Sequence, residues 1–111
     1  MEGMYDNFLN QDSGQSDLRL VKVLSEITEE LSSAVVKFPK YPTDPLHALA
    51  ILGEEYGELN KAVLQNTYEP HKTNLEEVKM EAIQTAAMAI RFILSLEEFN
   101  YEQSIQHNQE L

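Results

Sequence analysis

The chain has 111 residues, with 19 acidic against 8 basic side chains, a formal net charge of −11 and no cysteine. That length makes one domain with a modest core. The charge has the wrong sign for nucleic acid, whose phosphates require a surplus of lysine and arginine, and for an anionic membrane surface. Disulfides and thiolate metal sites are excluded. Met1 to Asp17 is polar, with no apolar signal core, and the longest apolar run is broken by Gln84, Thr85 and Arg91 and is too short to span a bilayer. A cytoplasmic protein with no membrane and no nucleic-acid partner is expected.

Residues 1–16 read as a polar arm, and residues 17–111 as a single all-α domain. Ser16 or Asp17 can cap a first helix running to about Val36, on which Leu18, Val21, Leu24, Ile27, Leu31 and Val35 recur at helical spacing. Pro39 and Pro42 then punctuate a connection. Thr43 or Asp44 caps a second helix with Pro45 in its first turn, running to about Gln65. After a loop from Asn66 to Lys72, Thr73-Asn74-Leu75-Glu76 has capping-box spacing and opens a third helix, to about Leu96. Asn100 can cap a short last helix, Tyr101 to about His107. Nothing alternates with the period of a strand, so the fold is a bundle of three main helices with a short C-terminal one.

On the second helix, Leu49, Leu52, Tyr56, Leu59 and Val63 form an apolar face. His47, Glu54, Glu58, Lys61 and Gln65 form a polar stripe opposite, with Glu55 on the flank. The third helix is apolar on most sides and carries a narrow stripe of Glu77, Glu81, Gln84, Met88, Arg91 and Ser95. Such a helix is central to its bundle or also touches a partner subunit. Ala82, Ala86, Ala87 and Ala89 permit the close approach of a neighbour. Glu77 and Glu81 are like charges one turn apart, a destabilising pair without a cation. If the two stripes face each other across a cleft, four or five carboxylates meet there. Oxygen donors of this kind suit Mg²⁺ or Mn²⁺ over Zn²⁺.

At these residues the sequence resembles the MazG-like all-α nucleoside triphosphate pyrophosphohydrolases, over roughly residues 38–96. The family pattern is E-E-x-x-E on one helix and E-x-x-D on the next. Glu54-Glu55-Tyr56-Gly57-Glu58 matches the first half fully; in the second, Glu81 is present and Gln84 stands where the aspartate belongs. The resemblance implies a helical bundle assembled as a homodimer or homotetramer. It implies hydrolysis of a nucleoside triphosphate, or its deoxy form, to the monophosphate and pyrophosphate. Glu55, Glu58 and Glu81 would be metal ligands, and Glu54 would orient water or extend the metal shell. Gln84 offers a carbonyl but no charge, and Glu77 on the same stripe can substitute for the missing carboxylate. Lys61, His47 and Arg91 are the candidate substrate contacts, and Phe38, Tyr41 and Tyr56 are aromatics that can stack on a base. The other reading is a MazG-like module that has kept the fold, lost catalysis and acts in protein interaction or regulation.

Overall fold

A computed structural model describes residues 13–101, with side chains described from Asp17 onward. Among the described residues there are three main helices: α1 (Ser13–Lys37), α2 (Pro45–Tyr68) and α3 (Leu75–Leu94). Short 3-10 turns follow α2 at Pro70–Lys72 and α3 at Leu96–Glu98. No strand occurs among the described residues, and no helix there is long and apolar enough to cross a membrane. The expected last helix from Tyr101 lies outside the described residues.

The helix starts follow from local chemistry. Asp44 is the N-cap of α2: its carboxylate accepts a hydrogen bond from the Leu46 amide at 2.9 Å, and Pro45 takes the first turn. The cap of α3 sits one residue later than the capping-box spacing suggests. Asn74, in extended geometry, accepts from the Glu77 amide at 2.9 Å, and the Thr73 hydroxyl donates to the Glu77 carboxylate. Helix α1 begins at Ser13, not Ser16, so the last part of the expected arm is helical. Once nucleated, a helix gains a hydrogen bond for each residue added, and nothing at 13–16 forbids it. Helix α2 likewise runs on to Tyr68, and Pro70 stops it.

The third helix is central, as its breadth of apolar surface requires. It packs against both α1 and α2, which make no comparable pairing with each other. Between Ile83 and Phe92 no residue of α3 is exposed. The seam with α2 is built on small side chains: Ala48, Ala62 and Ala87 are buried. Their size lets the helices approach until the Thr85 hydroxyl, 2.8 Å from the Glu81 carbonyl of its own helix, also stands 3.1 Å from the Glu55 carbonyl across the seam.

The second helix is rotated from the orientation its apolar residues suggest. Its inward positions are Ala48, Ile51, Leu52, Glu55, Leu59 and Ala62, while Leu49, Tyr56 and Val63 are exposed. At 100° per residue that face is turned by about 70° from the centre of the apolar one. Glu55 therefore points inward, not along the flank. Among the described residues no bulky side chain is fully buried, and the large exposed apolar residues include Leu18, Val21, Leu49, Tyr56, Ile93 and Leu94. Among the described residues α1 and α2 flank α3 without a comparable pairing of their own, and apolar surface that domains ordinarily bury between layers stays exposed.

Candidate active site

Two adjoining hollows meet at Glu55. One, about 150 Å³, lies between the end of α1 and α3 and is lined by Glu30, Lys37, Phe38, Glu55, Gln84 and Met88, with Ser33, Ala34 and Ala87 behind. The other, about 490 Å³, lies under the α1–α2 connection and is lined by Phe38, Lys40, Tyr41, Pro42, His47, Ile51, Glu55, Met88 and Arg91. Phe38, Glu55 and Met88 are common to both, so the two form one cleft with an acidic end and an aromatic end.

The acidic end unites the two halves of the Glu motif. Burial pushes the Glu55 carboxyl above the ordinary carboxylate range, and the like charges of Glu81, Glu30, Glu58 and Glu54 push it further. Thr85 ties the backbone at Glu55 to the backbone at Glu81, fixing the register of the two halves. Glu30 is the contribution sequence reasoning missed. It comes from α1, which has no part in the motif, and only tertiary packing brings it beside Glu55. Among the described residues no three carboxylate or imidazole groups yet stand close enough to grip one ion.

The other expected site residues divide. His47 lines the aromatic end and Gln84 the acidic end. Glu77 is exposed, engaged by Thr73 at the start of α3, and does not act on Glu55. Lys61 lies away from the cleft, in a hollow along α2 with Gly57, Asn60, Leu64, Gln65 and Tyr68. The assumption that the whole polar stripe of α2 faces α3 fails there, because the helix presents Glu55 and not Glu58 or Lys61 at the centre of the seam. Lys79 pairs with Glu26 of α1 at 3.1 Å.

Arg91 lines the aromatic end and is only 7% exposed. Its guanidinium donates to the Phe38 carbonyl and, at 3.4 Å, to the Ala34 carbonyl, and it lies over the Tyr41 ring, 4.7 Å from the centroid. It thus clasps the C-terminal end of α1, where the negative end of the helix dipole favours a cation. The Tyr41 hydroxyl is buried without a hydrogen-bond partner among the described residues. Burial raises its pKa and Arg91 partly offsets that rise. Behind Arg91, the Ser95 hydroxyl donates to the Arg91 carbonyl at 2.9 Å, and the Asn100 amide donates to the Thr43 carbonyl at 2.7 Å. Phe99 is buried against Phe92, with ring centroids 5.1 Å apart. This end of the fold is held by polar and aromatic contacts together.

No family model matches the chain, and no curated protein or solved structure matches it.

Proposed function

We propose that the cleft hydrolyses a nucleoside triphosphate, or its deoxy form, to the monophosphate and pyrophosphate, with Mg²⁺ or Mn²⁺. The observation that carries this reading is the inward turn of Glu55 beside Glu81, with Thr85 tying the two helices at those residues. Carboxylates held together at the expense of a raised pKa suit a divalent cation, and the donors here are oxygens only. Glu55, Glu58 and Glu81 would hold the ion, with the Gln84 carbonyl and Glu30 completing the donor set by rotation of their side chains. Bound there, the ion would neutralise phosphate charge and orient the polyphosphate. Glu54 or Glu55 would take a proton from the attacking water. Water would attack the α-phosphorus, the bond to the bridging oxygen would break, and pyrophosphate would leave. Phe38 and His47, which line the aromatic end, would receive the nucleoside.

The same reading includes assembly as a homodimer or homotetramer, supported by the exposed Leu49, Tyr56, Ile93 and Leu94. It also includes a cytoplasmic setting, where nucleoside triphosphates are made and used. Gln84 in place of a carboxylate favours one second reading: a helical interaction module without catalysis.

The test is pyrophosphate release from a panel of standard and modified NTPs and dNTPs with Mg²⁺ or Mn²⁺, comparing the natural chain with Glu58→Gln and Glu81→Gln. Metal-dependent release lost in both variants is expected. No release from any nucleotide, together with no metal-induced thermal shift, would leave the module reading in its place.

A further inference from the structure

We propose that Lys37 and Lys40 form the polyphosphate-binding side of the cleft, and that Arg91 acts as a positioning residue for both rather than as a phosphate ligand. Lys37 lines the acidic end beside Glu30 and Glu55; Lys40 lines the aromatic end beside His47 and Glu55. The two lysines therefore flank Glu55 on either side of Phe38. In a chain with 19 acidic side chains, neither makes an ion pair among the described residues. Both are exposed and keep their long stems mobile enough to follow a ligand. Lys61, the lysine that sequence spacing recommends, lines a separate hollow.

The segment that carries them is fixed from beneath. Arg91 bonds the Ala34 and Phe38 carbonyls and stacks on Tyr41, so it grips the chain just before Lys37 and on both sides of Lys40. With its donors on backbone oxygens and its face on a ring, the guanidinium is committed to the fold. The mobile ammonium groups remain for an oxyanion. A triphosphate bridging a cation on the carboxylates would then have its remaining negative charge met by Lys37 and Lys40. This assignment rests on the pyrophosphohydrolase reading for the identity of the anion.

The experiment is calorimetric binding of inorganic tripolyphosphate at fixed Mg²⁺ to the full chain and to its Lys37→Gln, Lys40→Gln and Lys61→Gln variants, alongside KM and kcat on the best nucleotide of the panel. Each cleft substitution is expected to weaken tripolyphosphate binding by about tenfold, the loss of one charge-assisted contact. Lys61→Gln, which changes net charge equally, should bind as the natural chain does. Equal binding by all four proteins, or no binding by the natural chain, overturns the proposal. A Lys37 that serves only the dipole of α1 would lower stability in Lys37→Gln and leave binding intact, which also overturns it. The two readings fail separately. Lysine-dependent binding in a protein that releases no pyrophosphate removes the hydrolase and keeps the anion site. Pyrophosphate release with KM unchanged in both cleft variants removes the anion site and keeps the hydrolase.

Discussion

The two ends of α3 handle charge in opposite ways. Near its C-terminus a cation is buried with its needs met: Arg91 has two carbonyls and an aromatic face, and no carboxylate is involved. About ten residues earlier, some 15 Å along the helix, burial and the like charge of Glu81 raise the pKa of Glu55. A buried charge satisfied by backbone dipoles is a structural fixture. A set of like charges held together by packing is a strain that the fold tolerates because Thr85 and the small alanines bind the two helices regardless. The contrast separates what holds this molecule together from what it is equipped to do.

The largest effect should come from the satisfied end. Arg91→Met removes two charge-assisted hydrogen bonds and a cation–π contact, and should lower stability by about 3 kcal/mol in chemical denaturation. A loss under about 1 kcal/mol would mean that the clasp is not what secures α1. Next come Gly53 and Gly57, on the exposed side of α2 with open space around each. Replacing both by alanine should stabilise an isolated chain by about 1 kcal/mol per site through helix propensity. If copies meet through this face, the same double variant should instead weaken assembly, seen in sedimentation.

At the strained end, Glu55→Gln without metal should stabilise by about 0.5 kcal/mol at neutral pH, the scale of one like-charge contact. The sign with pH is definite. Because the folded pKa of Glu55 lies above the ordinary value, the folded protein holds that proton more tightly. Its contribution to stability is full below the unfolded pKa and is lost as pH rises through the folded one. The advantage of Glu55→Gln should therefore shrink on acidification, and saturating Mg²⁺ should abolish or reverse it. Equal stability of the two proteins at every pH would show that the carboxylates are not strained. The smallest effect is expected for Tyr41→Phe. The hydroxyl has no partner among the described residues, so its loss should change stability by less than about 0.5 kcal/mol, in the stabilising direction.

Local signals were the legible part of this fold. Asp44 with Pro45 marks the start of α2 because cap and first-turn chemistry involve neighbouring residues only, and the same chemistry puts the start of α3 within one residue. The breadth of apolar surface on α3 reveals its central position. Legibility ends where packing chooses between faces. Periodicity centres α2 on Leu52, Tyr56 and Leu59, but the small side chains of Ala48 and Ala62 allow closer approach to α3 and turn the helix, carrying Glu55 inward and Lys61 away. No spacing rule could reveal Glu30, whose position depends on how α1 lies against α3. Nor could one show that Arg91, on the same stripe as Glu81, would be taken up by the carbonyls of another helix.

A central helix flanked by two others also has a characteristic way of opening. Solvent reaches the outer sides of α1 and α2, and only the middle of α3 is screened along its length by neighbours. Deuterium uptake should therefore be graded by position, not uniform. Amides of the first turns of α1, where Leu18 and Val21 stand exposed, should exchange first, and those between Ile83 and Phe92 last. The slowest amides would then lie in the stretch of backbone that holds Gln84, Thr85 and Arg91, so the residues that organise the cleft sit on the part of the chain that opens least often.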